Sequence, residues 1–288
     1  MPAKQLSSIG IGTYLGNADE ATDLSYTRAI VRAVQLGINV IDTAANYRFQ
    51  RSERSIGEAL KILSREELVI CTKGGYLPFD GAPPRNVAQY VNETFVKPGI
   101  ASFEDFVGGG HCMTPSYLQN QLDQSLRNMG VEYVDVYYIH NPESQLPHVS
   151  EDEFYARLKR AFERLEENRS LGKLAHYGVA TWNGFRMPAG SGQHHSLTRM
   201  VELAREVGGE GHGFHFIQLP FNVRMPEAKS VIEEAQQLGV SVVTSASLLQ
   251  GRIPPQVAIE FVRSTPGITT ALIGMSRVEH VEENLGRG

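Results

Sequence analysis

Residues 23–42 read DLSYTRAIVRAVQLGINVID and contain one complete helix-to-strand unit. The first part predicts a helix over Asp23–Leu36, since apolar residues recur there at the three- and four-residue spacing of an amphipathic helix: Ala29, Ile30, Ala33 and Val34. Gly37 follows, and glycine is the residue that most often ends a helix. The apolar, β-branched run after it predicts a short strand at Asn39–Asp42.

The same alternation of short strand and amphipathic helix continues along the whole chain of 288 residues. We predict eight strands, at Ser8–Thr13, Asn39–Asp42, Leu68–Thr72, Val134–Ile139, Leu174–Val179, Phe216–Leu219, Ser241–Thr244 and Thr270–Ile273. We predict eight helices, at Asp23–Leu36, Ser52–Ile62, Tyr117–Met129, Asp152–Glu167, Leu197–Val207, Ala228–Leu238, Pro255–Ser264 and Val278–Asn284. Continuous apolar strands are typical of a parallel sheet buried on both faces. Eight βα units favour a (β/α)8 barrel forming one domain over residues 1–288, with a doubly wound sheet as the alternative.

Composition and charge exclude several classes of protein. Lys plus Arg total 27 and Asp plus Glu total 32, so the net charge is −5, which argues against a nucleic-acid or anionic-membrane binder. The two cysteines, Cys71 and Cys112, do not make a disulfide scaffold. No signal peptide and no apolar run of about 18 residues are visible, so we expect a cytoplasmic protein.

One segment interrupts the alternation. Gly74–Met113 is much longer than an ordinary βα loop and is rich in proline, glycine and aromatic residues. We expect it to act as a lid or pocket wall, with Phe79, Phe103 or Phe106 facing the substrate. A second segment, Asn183–Ser196, reads as a surface loop.

Four polar side chains follow the ends of neighbouring predicted strands, where parallel barrels place their active sites. They are Asp42, Tyr47, Lys73 and His140. A lysine ammonium lowers the pKa of a nearby phenol, a carboxylate holds the lysine charged, and an imidazole can orient a carbonyl group. Each residue alone has a structural explanation as a cap, ion pair or packed side chain. Their occurrence together predicts a proton-transfer site.

These residues resemble the motifs of the aldo-keto reductases, and the resemblance covers nearly the whole chain. It is carried by Gly10-Ile-Gly-Thr-Tyr14, Ile41-Asp-Thr-Ala44 with Tyr47, Val69-Ile-Cys-Thr-Lys73, Val134-Asp-Val-Tyr-Tyr-Ile-His140, Tyr177-Gly-Val-Ala-Thr181, Gln218-Leu-Pro-Phe-Asn222 and Ile273-Gly-Met-Ser-Arg277. The resemblance implies a nicotinamide-dependent carbonyl reductase. It implies that Tyr47 is the general acid, Lys73 adjusts its pKa, Asp42 pairs with Lys73, and His140 orients the substrate.

The resemblance also implies a cofactor site, which we expect to bind NADPH rather than NADH. The residues that match it are Gly12, Thr13, Tyr14, Asp42, Thr181, Gln218, Ser276, Arg277, His280, Glu283 and Asn284. Of these, Gln218 matches the residue that binds the carboxamide. Ser276 and Arg277 open a short helix, where backbone N–H groups and a guanidinium favour a phosphate.

The sequence departs from the family pattern at two cofactor positions. Ala180 precedes Thr181 where the family usually has a polar pair, so one carboxamide hydrogen bond is expected to be lost. Ser245 occupies the position where an aromatic often stacks on the nicotinamide, with Trp182 and Phe221 as weak substitutes. We also expect a short C-terminus without the loop that often shapes the family's substrate pocket.

Other patterns are less informative. The Tyr155-x-x-x-Lys159 spacing occurs in short-chain dehydrogenases, but the glycine-rich turn of that family is absent, and the pair is expected on an exposed helix. The histidines at 194–195 and 212–215 lack a second ligand set, so no metal is expected. Two alternatives to a reductase stay open: a cofactor-binding regulatory or scaffold protein with little turnover, and a lyase that uses Lys73 as a Schiff base. The expected partner is a small carbonyl substrate, and the sequence does not predict the oligomeric state.

Overall fold

A computed structural model describes residues 4–286 of the chain. Its centre is a closed barrel of eight parallel strands, paired in chain order with the last strand against the first. The strands are β1 (Ile9–Gly12), β2 (Val40–Asp42), β3 (Val69–Gly74), β4 (Val134–His140), β5 (Leu174–Ala180), β6 (Phe214–Pro220), β7 (Ser241–Ser245) and β8 (Ile268–Gly274). The predicted (β/α)8 barrel is therefore confirmed, and the doubly wound alternative is wrong because the sheet closes on itself.

The helices surround the barrel. They are α1 (Glu20–Gln35), α2 (Arg51–Leu60), α3 (Val87–Val91), α4 (Pro115–Met129), α5 (Glu151–Ser170), α6 (Leu197–Gly208), α7 (Lys229–Gln237), α8 (Pro255–Arg263) and α9 (Val278–Leu285). All eight predicted helices are present, and the short α3 lies inside the long segment after β3. None of the helices between residues 4 and 286 is long and apolar enough to cross a membrane.

Helix α1 shows how local sequence sets these elements. The Asp19 side chain accepts a hydrogen bond from the Thr22 N–H at 2.8 Å and so caps the first turn. Ala29, Ile30 and Ala33 of the predicted apolar stripe are buried together with Tyr26, and Val34 is partly buried. Gly37 adopts a φ of +91° just beyond the helix, a conformation that suits glycine.

Two layers of apolar side chains hold the barrel. The larger lies between the strands and the helices. The smaller fills the barrel interior and consists of Val40, Val69, Cys71, Val136, Tyr138, Ala180, Phe216, Val243 and Leu272. The barrel interior is therefore a packed core, and the mouth formed by the carboxyl ends of the strands is where such barrels carry their active sites.

The segment 74–113 packs around a small apolar core, to which it contributes Phe95 and Cys112 and α4 contributes Tyr117, with neighbouring aromatic and aliphatic residues. Phe106 packs against Phe95 and Tyr117, with ring centroids 5.9 and 5.2 Å away. Phe103 is 48% exposed. Phe106 thus belongs to this small core, where its ring meets that of Tyr117 edge to face, a favourable aromatic arrangement.

Candidate active site

Strand register brings the sequence-predicted side chains to one edge of the barrel. Asp42 is the last residue of β2 and pairs with Cys71 of β3, two positions before Lys73. Lys73 pairs with Tyr138 of β4, two positions before His140. The three side chains therefore stand at the carboxyl ends of three consecutive strands, as the sequence predicts.

Asp42 and Lys73 form a buried ion pair at the centre of this edge. The Lys73 Nζ lies 2.5 Å from Asp42 Oδ1 and donates a second hydrogen bond to the Thr43 carbonyl at 2.7 Å. Gln218 of β6 donates its Nε2 to the other carboxylate oxygen at 2.8 Å. Burial works to lower the pKa of Lys73, but the negative charge of Asp42 and its hydrogen bond outweigh that effect and raise the pKa above its ordinary value. Lys73 is therefore held as an ammonium.

Tyr47 lies over this pair in the loop between β2 and α2. The Lys73 Nζ is 4.9 Å from its ring centroid, and the His140 ring centroid is 5.8 Å away. Burial raises the pKa of Tyr47, and the Lys73 charge opposes that effect. The sequence predicts a lowered pKa, and the net direction is the opposite because loss of water outweighs the ammonium. Tyr47 accordingly carries its proton at neutral pH.

A left-handed turn follows Tyr47. Arg48, Phe49 and Gln50 have backbone φ values of 49°, 57° and 70°, which residues other than glycine rarely adopt. The Arg48 guanidinium holds the turn by donating to the Asn17 carbonyl at 2.7 Å and to the Asp23 carboxylate. Strained backbone of this kind persists only where surrounding contacts enforce it, so Tyr47 is rigidly placed.

His140 completes the cluster at the end of β4, where it is partly buried. Burial and the nearby Lys73 charge lower the pKa of His140 well below its ordinary value, so the ring is neutral. Its Nδ1 is buried and contacts no hydrogen-bonding group among residues 4–286. A buried donor without a partner is costly, which favours the tautomer with the proton on Nε2.

Three residues near this cluster escaped the sequence prediction. Tyr76 and His111 come from the long segment, and their rings lie 5.1 Å apart, with Tyr76 also 5.2 Å from the His140 ring. Glu143, just after β4, is buried. A visible signal for His111 is the run of three glycines before it, all of which adopt positive φ and turn the chain back toward the barrel.

Glu143 fixes the loop after β5. Its Oε1 accepts hydrogen bonds from the backbone N–H groups of Trp182 at 2.7 Å, Asn183 at 2.8 Å and Gly184 at 3.3 Å. Three donors to one carboxylate oxygen hold this loop, and with it Thr181, in one position at the barrel mouth.

The predicted cofactor residues differ in whether their polar groups already have a hydrogen-bond partner in the protein. Gly12 ends β1, and Tyr14 is exposed with its ring 5.0 Å from that of Tyr47. Thr13 is occupied, because its hydroxyl donates to the Asp42 carbonyl. The Thr181 hydroxyl, by contrast, is buried and has no partner in the described part of the chain. Gln218 holds Asp42 with its amide nitrogen.

The remaining predicted cofactor residues lie in helix α9 or directly before it. Arg277 is the residue before its first turn and donates to His280 Nε2 at 2.5 Å. Arg277 forms no ion pair between residues 4 and 286. The Ser276 carbonyl accepts from Ser25 of α1 at 2.7 Å. Glu283 and Asn284 lie in the last turn of α9. A cation without a carboxylate partner at a helix N-terminus can bind an anion.

The other sequence patterns also have definite positions. Phe221 is buried and stacks on Phe261 of α8 at 5.3 Å, so it is not available as a substitute stacking residue, whereas Trp182 is 48% exposed. Tyr155 accepts from the Ser196 N–H at 2.9 Å, and Lys159 pairs with Glu206 of α6. Both groups therefore belong to the outer contact between α5 and α6.

The histidines of the paired motifs are packed elsewhere. His195 lies between Phe154 and Phe185. His212 stacks on His215. The residues from 4 to 286 contain no group of three or more His, Cys, Asp or Glu side chains that could hold a metal ion.

Comparison with known proteins gives consistent matches. A family model described as the aldo/keto reductase family matches residues 8–254. A putative voltage-gated potassium channel subunit beta of Schizosaccharomyces pombe is 23% identical over 98% of this chain and 84% of its own length. An NADH-specific methylglyoxal reductase of Escherichia coli is 29% identical over 61% of this chain and 48% of its own length.

Solved structures share the fold. An aldo/keto reductase from Klebsiella pneumoniae, in complex with NADP and acetate, aligns with a TM-score of 0.63 at 17% identity, over 98% of this chain and 85% of that one. At this identity the likeness concerns the arrangement of the backbone. The family-model match ends before β8 and α9, so the position of Arg277 rests on the structure alone.

Proposed function

The chain belongs to the aldo/keto reductase family, and we propose that it reduces an aldehyde or ketone to an alcohol with NADPH as the reductant. The observation that carries this proposal is the cluster at the barrel mouth. A charged Lys73 is paired with Asp42, and its Nζ lies 4.9 Å from the ring centroid of a protonated Tyr47. A neutral His140 lies beside Tyr47. Two side chains that can donate hydrogen bonds thus lie next to each other beside a buried positive charge.

The chain's own residues supply the proton and the electrostatic stabilisation. When bound, the reduced nicotinamide would supply a hydride to the carbonyl carbon. Negative charge then develops on the carbonyl oxygen, where the Tyr47 hydroxyl and the His140 Nε2–H can donate. Tyr47 transfers its proton to that oxygen and becomes a phenolate, which the Lys73 ammonium stabilises. Asp42 keeps Lys73 charged throughout.

The residues present fit a nicotinamide dinucleotide. The buried Thr181 hydroxyl lies directly after β5, and the buried Ser247 hydroxyl lies two residues after β7. Neither has a partner between residues 4 and 286, and a bound ligand would satisfy both. Thr181 would serve the carboxamide end, while Ser276 and Arg277 at the start of α9 would hold the adenosine phosphate.

Arg277 favours NADPH over NADH. A guanidinium without an acidic partner at a helix N-terminus is suited to the extra phosphate that distinguishes NADPH. The Klebsiella pneumoniae structure contains NADP, whereas the Escherichia coli relative is named as NADH-specific. The relatives therefore use both cofactors, and the proposal for this chain rests on Arg277.

The long segment 74–113 is proposed as the wall of the substrate pocket, within one functional barrel unit. Its Tyr76 ring packs edge-on against the ring of His140. The proposed substrate is a small carbonyl compound, which the partly buried side chains of Tyr47 and His140 would bind at the barrel mouth.

Replacement of Tyr47 by Phe tests the proposal. We expect carbonyl reduction to fall at least about 10²-fold, because a positioned proton donor contributes that much, while NADPH binding measured by fluorescence stays within about twofold. Tyr155→Phe is the matched control, because the Tyr155 hydroxyl contacts the Ser196 N–H at the start of α6 and not the residues of the barrel mouth. Full activity of the Tyr47→Phe enzyme on a broad aldehyde and ketone panel would overturn the assignment.

A cofactor-binding protein with little turnover is the second candidate. The Schizosaccharomyces pombe relative, named as a putative channel subunit, favours it. Tight NADPH binding by the unaltered protein, without turnover on the carbonyl panel, would support this candidate over the reductase. A Schiff-base lyase is disfavoured, because an amine must be neutral to attack a carbonyl and Lys73 is held charged.

A further inference from the structure

The long segment after β3 contacts the backbone of His140 through a second, fully buried histidine. The Nε2 of His111 lies 2.7 Å from the His140 carbonyl oxygen. In the sequence, His111 lies 29 residues before His140, and it belongs to no motif of the proposed site. It nevertheless forms a direct hydrogen bond to the residue that orients the substrate.

The tautomer of His111 follows from its partners. The His140 carbonyl can only accept, so His111 Nε2 carries the proton. On the other side, Gln145 Nε2 donates to His111 Nδ1 at 2.8 Å. The orientation of the Gln145 amide is set by Arg157, whose Nη1 donates to its Oε1 at 2.7 Å. Burial also lowers the pKa of His111 to about 4, which keeps the ring neutral.

The bond replaces a missing strand contact. Pairing between β3 and β4 ends at Gly74 and Ile139, one residue short of His140. The His140 carbonyl consequently has no backbone donor from β3, and an unpaired buried carbonyl is costly. His111 Nε2–H supplies the donor at the place where the ladder stops.

Gly75 makes room for this contact. Its φ is +142°, and a Cβ there would lie 2.9 Å from His111 Nε2 and 3.1 Å from the His140 carbonyl oxygen. A side chain at position 75 would therefore intrude on both ends of the hydrogen bond. The hydrogen bond between His111 and His140 therefore depends on a glycine at position 75.

We propose that His111 is a positioning residue that holds the end of β4, and with it the His140 imidazole, in place for the carbonyl oxygen. The role rests on the proposed reductase function. His111 acts through the backbone of His140, while Tyr76 packs edge-on against both imidazole rings. A misplacement of about 1 Å at a reacting group can cost about 10²-fold in rate.

The test compares two replacements of His111. His111→Phe keeps an aromatic ring but removes the donor, and His111→Gln keeps an amide N–H at a similar distance from the backbone. We expect kcat to fall about 30- to 100-fold in the Phe variant and at most about fivefold in the Gln variant, as inferred from that positional sensitivity. The KM for the carbonyl substrate and the Kd for NADPH should change less than threefold in both.

His195→Phe is the control for loss of a buried imidazole outside the site, and it should leave kcat unchanged. Should His111→Phe fail to fold, Gly75→Ala keeps His111 and pushes the two partners apart, and we expect the same loss of kcat. Full kcat in a folded His111→Phe or Gly75→Ala variant would overturn the proposal. Equal losses in the folded Phe and Gln variants would overturn it too, because they would show that ring packing matters and the donor does not.

A readout without turnover separates this proposal from the reductase function. In the protein labelled with ¹⁵N-histidine, the His140 ring should give one sharp neutral signal in the unaltered and His111→Gln proteins. In His111→Phe that signal should broaden or split. An unchanged His140 signal would refute positioning by His111 even if no carbonyl substrate were found. If the unaltered protein reduces no carbonyl compound but the His140 signal still broadens or splits in His111→Phe, the result would support positioning and reject only the reductase proposal.

Discussion

Gln218 Nε2 donates a hydrogen bond of 2.8 Å to Asp42 Oδ2, across the barrel from β6 to β2 and over 176 positions of the chain. The same carboxylate receives Lys73 on its other oxygen. Asp42 is thus satisfied from both sides although it is buried. Each of these contacts has a measurable consequence.

Replacement of Gln218 by Leu should destabilise the fold. It removes a donor from a buried carboxylate, which costs about 1–3 kcal/mol. Urea unfolding of the Gln218→Leu variant measures this loss. Gln237→Leu, at the exposed end of α7, is the matched control and should change the free energy of unfolding by less than about 0.5 kcal/mol. Equal stability of the two variants would contradict the contact.

Removal of Lys73 should cost more than removal of the whole ion pair. Lys73→Met leaves the Asp42 carboxylate buried without its cation, which costs about 3–5 kcal/mol. Adding Asp42→Asn removes the stranded charge, so the double variant should be more stable than Lys73→Met alone. Both should lack carbonyl reduction. A double variant as unstable as the single one, by chemical unfolding, would argue against a charge effect.

The buried His195 should make the protein acid-sensitive. Burial lowers its pKa to about 3, so the unfolded chain binds the proton more readily as the pH falls from 6.5 toward 3, and stability falls with it. At pH 5 this one group lowers the free energy of unfolding by about 2 kcal/mol relative to pH 7.5. His195→Leu should remove that part of the pH dependence.

The exposed His148 provides the control for this experiment. Thermal or urea unfolding at pH 5 and pH 7.5 should give His148→Leu the same acid sensitivity as the unaltered protein. If His195→Leu behaved in the same way, His195 would not be the group responsible.

Phe95 should govern substrate binding through the order of the long segment. It is almost fully buried at the centre of the small core, and Phe→Ala at such a site costs about 3–5 kcal/mol locally. We expect Phe95→Ala to raise the KM for carbonyl substrates several-fold with little change in NADPH affinity. Phe103→Ala, in the same segment but exposed, should behave like the unaltered protein. Identical kinetics for the two variants would show that the segment is not part of the pocket.

Arg277 should distinguish the two nicotinamide cofactors. We expect Arg277→Ala to weaken NADPH binding about tenfold or more, because a charge-assisted contact to a phosphate is lost, and to leave NADH binding within about twofold. Fluorescence titration with both nucleotides gives the comparison. Arg263→Ala, in the exposed last turn of α8, serves as the control. An equal loss for NADPH and NADH would mean that Arg277 does not contact the extra phosphate.

The local sequence was sufficient for much of this architecture. Apolar periodicity and the glycines that end the helices identify eight strands and eight main helices, because both patterns arise within a few residues. The same reasoning places Asp42, Lys73 and His140 at strand ends, since the residue after a buried run is visible in the sequence. The parallel barrel then brings these ends to one rim.

Only the tertiary structure decided which of these side chains are free. The Thr13 hydroxyl is used by Asp42, and Phe106 belongs to the small core around Tyr117. Whether the pKa of Tyr47 lies above or below its ordinary value depends on how far the packed chain excludes water from the phenol. The contact of His111 with His140 joins positions 29 residues apart. Burial and long-range pairing are properties of the packed chain, and no local pattern of residues contains them.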